Sequence, residues 1–172
     1  MTKVINKYHD LHLIEMTKHR LMIEEFLVKR SNLNVRDSEG RNALYWAIKY
    51  RSRHNVTLLL KYNISLMVGY DTHALFHAIA NNDYETFVLL LDQKVVGLDI
   101  KDTIGMTLLM RAIQMESVPM VRYLINHGAN LYLEDNEGHV PLDYAQSCKN
   151  RDVFNLVHYR IIYEQTQRRT RA

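Results

Sequence analysis

The 172-residue chain contains few of the residues that interrupt regular structure, with only six glycines and two prolines. Glycine and proline together make up about 12% of an average soluble protein. Their shortage argues against a loop-rich β-sandwich, a collagen-like segment and a Gly/Ser linker. The composition therefore favours a helical fold.

The chain also lacks paired cysteines and long apolar runs. Its one cysteine, Cys148, cannot form an intramolecular disulfide, which is typical of proteins in reducing compartments. The first ten residues contain no apolar core of a signal peptide, and no run of 18 uncharged apolar residues occurs. We therefore expect no signal peptide and no membrane span. We expect a cytoplasmic or nuclear location, which would lie in a host cell for a chain from a virus or an intracellular bacterium.

Charge of one sign is scarce as well. Twenty-two Lys and Arg against nineteen Asp and Glu leave a net charge of +3, far below that of a dedicated nucleic-acid binder. Residues 166–172 form a basic C-terminal tail with three arginines in four positions. This tail is the basis of an alternative function, association with nucleic acid.

No catalytic signature is present: the sequence contains no phosphate-binding glycine motif, no H-E-x-x-H and no G-x-S-x-G. Apolar residues make up 47% of the chain and charged residues 24%, which is enough apolar material for a core. We expect a non-enzymatic protein that needs no cofactor and no small-molecule substrate.

What the sequence does contain is internal repetition. A D-x-x-G motif begins at Asp37, Asp102 and Asp135, and the last two copies are 33 residues apart. Four residues after each glycine comes a leucine, and three residues further an alanine. The same pair recurs at Leu75 and Ala78, which indicates a copy that has lost its motif.

Each alanine is followed by apolar residues at positions i, i+3 and i+4, the pattern of a one-sided helix. These stripes are Val56, Leu59 and Leu60; Phe87, Leu90 and Leu91; and Val121, Leu124 and Ile125. The unit is therefore a turn, a short helix and a second helix. We predict one domain over residues 1–165, with repeats at about 4–36, 37–67, 68–101, 102–134 and 135–164.

This pattern resembles the ankyrin repeat. The match is clearest from Asp102 to Tyr132, with Gly105, Thr107, Leu109 and Ala112 followed by the V-x-x-L-I stripe and a closing Gly128-Ala129-Asn130. The resemblance implies an all-α solenoid of stacked helix-turn-helix units with projecting hairpins, in which neither helix can bury its stripe alone. It also implies protein binding through a concave face formed by the hairpins and first helices.

Carried over position by position, the resemblance places eight residues on that face. They are Arg41, Lys49, Tyr50, Tyr70, Met106, Gln114, Met115 and His139. Arg41, Tyr50, Tyr70, Met106 and Met115 are the strongest candidates, because Arg, aromatic residues and Met are enriched at interface cores.

Histidine and cysteine chemistry is the remaining alternative. His73 and His77 have the i, i+4 spacing of metal ligands, but no third ligand lies at a suitable spacing. His77 occupies a position where ankyrin repeats place a histidine that links neighbouring turns, so we expect no metal site. Lys149 and Arg151 could lower the pKa of the Cys148 thiol, but no histidine base can be assigned to it.

Three biological roles fit such a module. It can be a regulatory inhibitor, like the small ankyrin-type inhibitors of cyclin-dependent kinases or of nuclear factor kappa B. It can be a host-directed protein of a virus or intracellular bacterium, which the degenerate repeats favour slightly. It can also be a structural subunit of a larger assembly.

Overall fold

The computed structural model describes residues 13–17, 23, 27, 32–92 and 97–170. Residues 13–17 are helical, and eight further helices follow in pairs: α1 (Ala43–Lys49) and α2 (Arg53–Lys61), α3 (Ala74–Ala80) and α4 (Tyr84–Asp92), α5 (Leu108–Gln114) and α6 (Val118–Asn126), α7 (Pro141–Gln146) and α8 (Arg151–Thr170). Across these ranges the only β-type pairing consists of two isolated bridges. The all-α fold predicted from the sequence is confirmed.

The described residues bear on two of the predicted boundaries. Most of the predicted first repeat, residues 4–36, lies outside the described residues. The predicted tail is not separate from the last helix, because α8 continues through residues 166–170 to Thr170, and residues 171–172 lie outside the described part. Among the described helices, none combines the length and the apolar character needed to cross a membrane.

A tight turn joins the two helices of each of the first three pairs. Arg51, Asn82 and Glu116 occupy this turn with positive φ values of 53°, 48° and 51°. The N–H of each donates to the carbonyl three residues earlier, at 2.8–2.9 Å. A left-handed residue without glycine costs about 1 kcal/mol, so the bonded turn and the packed helices must offset this strain.

Three of the four first helices, α1, α3 and α5, begin at side-chain caps. Asn42 accepts a hydrogen bond from the N–H of Tyr45 at 3.1 Å, and Thr107 accepts one from Met110 at 3.2 Å. Each cap satisfies a backbone donor that the helix leaves unpaired. Helix α6 begins after Ser117 with a proline in its first turn, where the missing N–H removes no helical hydrogen bond.

The repeated alanines lie where the helices come closest. Ala47, Ala78, Ala112 and Ala145 are all 0% exposed. The predicted stripes of the second helices are also buried except at Leu91, which is partly exposed, and Val56, Leu59, Phe87, Val121 and Leu124 are completely inaccessible to solvent. Small residues on one helix and an apolar stripe on the other let each pair pack at close range.

The chain divides into two compact units, residues 1–92 and 93–172, which we call the N-terminal and C-terminal units. In the N-terminal unit α1 packs against α2 and α3, and α4 packs against α3 and α2. In the C-terminal unit α5 packs against α6 and α7, and α8 covers both α6 and α7. Among the residues that the structure describes from Asn32 onward, each unit thus contains two stacked helix pairs.

A hairpin precedes each first helix. The N–H of its first residue, which is Asp37, Val68, Asp102 or Asp135, donates to the carbonyl four residues on at 2.8–3.0 Å. Val68 therefore stands where the other hairpins have aspartate, and Asp71 stands where they have glycine. The hairpin that lost its motif keeps the same closing bond without the aspartate.

Candidate functional site

The three hairpin aspartates organise the candidate surface. In each, Oδ1 accepts the N–H groups of the second and fourth residues that follow. For Asp135 these N–H groups belong to Glu137 and His139, at 2.8 and 2.9 Å. One carboxylate oxygen therefore fixes the backbone at the hairpin tip.

The other oxygen, Oδ2, connects the hairpin to the first helix. In all three hairpins Oδ2 accepts a hydrogen bond from the side chain nine residues further along the chain, which is Trp46, Arg111 or Tyr144, and Asp37 Oδ2 also accepts one from Arg41. The indole N–H of Trp46 lies 3.1 Å from Asp37, and Arg111 Nε lies 2.7 Å from Asp102. The hairpin tip and the helix thus form one rigid surface.

The hairpin without aspartate uses a different link. Val68 offers no carboxylate, and the residue nine positions on is His77. Its Nε2 lies 3.2 Å from the carbonyl oxygen of Tyr45 in the preceding repeat, and its ring stacks on that of Tyr45 at 4.1 Å. The histidine link between neighbouring turns expected from the sequence is therefore present.

The pKa values reflect these contacts. The hydroxyl of Tyr144, with the N–H groups of His139 and Glu137, lowers the pKa of Asp135 to about 2. Burial and the nearby Asp135 raise the pKa of Tyr144 to about 12. Burial raises the pKa of Asp37, but the hydrogen bonds from Arg41 and Trp46 outweigh this effect and lower it. Both carboxylates are therefore ionised at neutral pH and act as structural acceptors.

In the N-terminal unit, three of the predicted site residues surround Trp46. The Arg41 guanidinium lies 4.4 Å and the Lys49 ammonium 4.9 Å from the indole ring, and Tyr50 stacks on it at 5.9 Å. Arg41 also forms ion pairs with Asp37 and Glu39. Arg41 and Tyr50 are therefore half-buried parts of a packed cluster, whereas Lys49 is exposed.

Tyr70 is the most exposed of the predicted residues, with 74% of its surface accessible. It belongs to the hairpin that precedes α3 and covers the glycine of the preceding hairpin. A Cβ added to Gly40 would meet the Tyr70 ring at 2.2 Å. The exposed ring thus lies across two hairpin tips.

In the C-terminal unit, the prediction that Met106 is exposed is wrong. Met106 is 1% exposed. Its N–H donates to Asp102 Oδ1 and its carbonyl accepts the Asp102 N–H, both at 3.0 Å. These bonds fix its backbone at the base of the hairpin, where an apolar side chain gains free energy by burial.

The other predicted residues of this unit are accessible. Gln114 and Met115 lie together at the end of α5; Gln114 is exposed and accepts a hydrogen bond from Arg111 at 2.9 Å, and Met115 is 41% exposed. His139 borders a cavity of about 290 Å³ lined by Glu137, His139, Asp143, Tyr144 and Ser147. Its Nδ1 lies 3.6 Å from Glu137 Oε2.

The structure therefore groups Arg41, Lys49 and Tyr50 in the N-terminal unit and Gln114 with Met115 in the C-terminal unit. Sequence reasoning missed the roles of Trp46 and Tyr144, which hold the hairpin aspartates. The signal was present in the constant nine-residue separation between each aspartate and a side chain that can donate a hydrogen bond.

The histidine and cysteine side chains considered as chemical groups in the sequence make structural contacts instead. His73 Nδ1 caps α3 by accepting the N–H of Leu75 at 3.2 Å. Burial and the nearby Glu116 raise the pKa of the Cys148 thiol, so the lowering that Lys149 and Arg151 could produce does not occur. In the described part of the chain, no three or more His, Cys, Asp or Glu side chains are grouped so that they could hold a metal ion.

Comparison with known proteins places these features in a family. The family model for ankyrin repeats, in three copies, matches residues 75–166. The potassium channel AKT2/3 of Arabidopsis thaliana is 26% identical over 150 residues, which are 86% of this chain and 18% of the channel. The putative ankyrin repeat protein L371 of Acanthamoeba polyphaga mimivirus is 22% identical over 142 residues, which are 81% of this chain and 19% of the viral protein.

A third relative is the putative ankyrin repeat protein FPV022 of fowlpox virus, 28% identical over 146 residues, or 82% of this chain and 24% of the viral protein. The chain therefore spans only 18% to 24% of the length of these three relatives.

Proposed function

The chain belongs to the ankyrin repeat family of protein–protein interaction modules, and from that premise we propose that it binds a partner protein through its hairpin tips and first helices. By occupying that partner's surface it inhibits, sequesters or bridges it. The binding groups in the N-terminal unit are Lys49 and Tyr70. In the C-terminal unit they are Gln114, Met115 and His139.

The observation that carries this proposal is the exposure of large side chains on a rigid backbone. Tyr70 is 74% exposed at a hairpin tip, and Met115 is 41% exposed directly after a first helix. Aromatic residues and methionine are enriched at interface cores. Exposed rings and thioethers on the hairpin side supply the apolar contacts that a protein partner would bury.

Cross-braces between the hairpins support the same reading. Arg36 donates to the carbonyl of Met67 at 2.9 Å in the N-terminal unit, and Lys101 donates to that of Glu134 at 2.7 Å in the C-terminal unit. A surface that is fixed before binding loses little conformational entropy when a partner docks. The hairpin tips are therefore prepared for recognition.

The two surfaces suit different partner chemistry. Lys49 is a cation beside Trp46, and it suits an acidic or aromatic segment. The cavity beside His139 has Glu137 and Asp143 in its lining and suits a basic side chain. We expect one partner to contact both surfaces, using an acidic or aromatic segment at Lys49 and a basic side chain at the cavity beside His139.

Affinity capture followed by mass spectrometry tests the proposal. The wild-type chain is compared with Lys49→Glu/Tyr70→Ala and with Gln114→Ala/Met115→Ala. Tyr62→Ala is the matched control, since Tyr62 is 39% exposed but lies at the end of a second helix. We expect at least one double variant to lose the captured partner about tenfold or more, while the control keeps it. Equal capture by all four proteins contradicts the proposed surface.

A finer proposal concerns the biological role. Two of the relatives are viral ankyrin repeat proteins, which favours a regulator directed at a host protein inside the host cell. Capture from host extracts should then enrich one host regulatory protein. If the recovered proteins are instead the fixed components of one assembly, the role is that of a structural subunit.

Nucleic-acid association through the basic end of α8 is the alternative function. Binding to nucleic acid would weaken steeply with salt, by about one logarithmic unit of affinity per tenfold salt for each phosphate contacted. Arg168 lies 5.3 Å from the Tyr132 ring, so this arginine already contacts the protein itself. Binding to a protein partner that persists in moderate salt favours the main proposal.

A further inference from the structure

The last helix, α8, has apolar residues on two opposite faces. Val153, Val157 and Ile161 are buried against the C-terminal unit. On the other face Tyr159, Ile162 and Tyr163 are 65%, 44% and 57% exposed. In the described part of the chain, large apolar side chains on this outer face are therefore accessible to solvent and available for contact.

A row of residues along the outer face has the spacing of a coiled-coil seam, with the apolar residues Tyr159 and Ile162 at its centre and polar residues at its ends. Its residues recur at alternating steps of three and four, as positions a and d of a heptad do: Asp152, Asn155, Tyr159, Ile162, Thr166 and Arg169. We call these six residues the α8 seam. All six are exposed or partly exposed, and they span roughly 26 Å at 1.5 Å per residue.

We propose that the α8 seam pairs with the α8 seam of a second copy of the chain, in antiparallel orientation. A two-fold axis midway between Tyr159 and Ile162 places each of these residues opposite the other in the second helix. The same axis places Asn155 opposite Thr166, and Asp152 opposite Arg169. Every seam position therefore meets one complementary position, as an isologous dimer interface requires.

Charge decides the orientation. In antiparallel pairing the carboxylate of Asp152 faces the guanidinium of Arg169 at both ends of the seam. In parallel pairing Asp152 faces Asp152 and Arg169 faces Arg169, which places like charges together. The apolar centre is common to both arrangements, so the charged ends select the antiparallel one.

The same charges favour a second copy over an unrelated helix. An acidic partner helix would be attracted by Arg169 at one end and repelled by Asp152 at the other, and a basic partner would experience the reverse. The copy itself carries the opposite charge at each end. Self-pairing is therefore the arrangement that uses the whole seam.

The seam is also held in place before it binds. Arg160 forms an ion pair with Glu164 at 2.8 Å and lies 5.8 Å from the Tyr163 ring beside the seam. The Thr166 hydroxyl donates to the carbonyl of Ile162 at 2.9 Å, so this polar seam residue is satisfied within its own helix. An apolar strip of this length corresponds to a small interface, and we expect a dimer of micromolar affinity.

Sedimentation velocity over a concentration series tests the dimer. We expect the wild-type chain to change from monomer to dimer with rising concentration, and Ile162→Glu to remain monomeric. Ile104→Glu is the matched control, because Ile104 is 52% exposed in the same unit but lies on a hairpin; this variant should still dimerise. Far-UV circular dichroism checks that all three chains fold. A wild-type chain that stays monomeric up to high micromolar concentration overturns the proposal.

Charge reversal tests the orientation. Arg169→Asp places two carboxylates together at each end of the antiparallel pair and should raise the dimer Kd about five- to tenfold at low salt. Adding Asp152→Arg restores opposite charges and should return the Kd to near the wild-type value. A single variant without effect, or a double variant that remains weakened, overturns the antiparallel register. Loss of dimerisation here leaves the capture experiment on the hairpin surface unaffected, so the two proposals can fail separately.

Discussion

The N-terminal and C-terminal units solve one structural problem with different side chains. In both, a hairpin aspartate must find a donor on the first helix. The N-terminal unit uses the indole of Trp46 and the C-terminal unit uses the hydroxyl of Tyr144, each nine residues after its aspartate. The backbone arrangement is the same, but the indole draws Arg41 and Lys49 over its face, whereas the tyrosine borders a cavity with acidic side chains.

This difference teaches which parts of the repeat are interchangeable. The hairpin braces are repeated almost unchanged, since Asn34 accepts the N–H of Ser65 at 2.8 Å and Asp99 accepts that of Asn130 at 2.9 Å. The donor nine residues after the aspartate varies freely among side chains with N–H or O–H groups. A common scaffold can therefore carry surfaces of different charge, and the following predictions test how far the equivalence holds.

The largest effect should come from the buried alanines, which the two units share. Ala47 and Ala112 are both 0% exposed, so an arginine at either position forces the helices apart and buries a charge without a partner. We expect Ala47→Arg and Ala112→Arg each to reduce stability by about 4 kcal/mol or more. Urea unfolding followed by circular dichroism measures the loss.

Lys49→Arg and Gln114→Arg are the matched controls, because each lies two residues after its alanine on the exposed side of the same helix. Both should unfold within about 0.5 kcal/mol of the wild type. If one alanine variant remains as stable as its control, the packing of that unit differs from the packing described above.

The second-largest loss of stability should distinguish the two hydrogen-bond donors, the indole of Trp46 and the hydroxyl of Tyr144. Asparagine in place of Asp37 presents an amide NH₂ to the Trp46 indole, which is only a donor and is 6% exposed, so one buried N–H loses its acceptor. Asparagine in place of Asp135 faces the Tyr144 hydroxyl, which can accept instead of donate. We expect Asp37→Asn to cost about 2 kcal/mol and Asp135→Asn to cost clearly less.

Chemical denaturation of the two asparagine variants measures this difference. Trp46→Tyr in the Asp37→Asn background provides the control, because a tyrosine restores a side chain that can accept. Recovery of part of the lost stability supports the donor argument, and equal losses at Asp37 and Asp135 would contradict it.

The sequence alone predicts much of this scaffold, because its signals are periodic. The alanines, the leucines and the second-helix stripes recur at fixed spacing, and all of them except Leu91 and Leu142, which are partly buried, lie in the core. The exposure of the predicted site residues was harder to predict, since it depends on the direction in which each hairpin side chain points. Met106 and His139 occupy the same hairpin position, yet one is 1% exposed and the other lines an open cavity. Periodicity places a residue on an element, whereas neighbouring repeats decide its accessibility.

The third prediction separates the units by pH. Burial lowers the pKa of His73 and of His77, both in the N-terminal unit. A histidine with a lowered pKa in the folded state binds fewer protons than in the unfolded chain, so stability falls as the pH drops below about 6.5. Protonation also removes the lone pair with which His73 caps α3.

The C-terminal unit should respond at lower pH. Asp135 has a pKa of about 2 against an ordinary value of 3.8, so its contribution to stability is present above about pH 4 and is lost as the pH falls toward 2.

Trp46 is the only tryptophan, and its fluorescence reports on the N-terminal unit. We expect the urea midpoint from fluorescence to fall between pH 6.5 and 5, and His73→Gln/His77→Gln to flatten this slope. A wild-type midpoint that is constant over this range contradicts the prediction.

The smallest effects should come from the hairpin glycines, which differ in what lies over them. Gly40, Gly105 and Gly138 all have positive φ, so alanine costs about 1 kcal/mol at each. A Cβ at Gly138 meets nothing within 4 Å; at Gly40 it meets the exposed Tyr70 ring at 2.2 Å, and at Gly105 the backbone nitrogen of Asn136 at 2.7 Å. An exposed ring can rotate away, but a hydrogen-bonded backbone cannot. The loss of stability should therefore increase from Gly138→Ala through Gly40→Ala to Gly105→Ala.

A double-mutant cycle isolates the contribution of Tyr70. If the extra cost of Gly40→Ala over Gly138→Ala arises from the displaced ring, then Tyr70→Ala must remove it, because the new Cβ then enters open space. The same Tyr70→Ala change should leave the cost of Gly138→Ala unaltered. A cost at Gly40 that persists without the ring would show that the strain lies in the hairpin backbone. In that case Tyr70 would lie over the glycine without pressing on it, and its ring would be free to contact a partner.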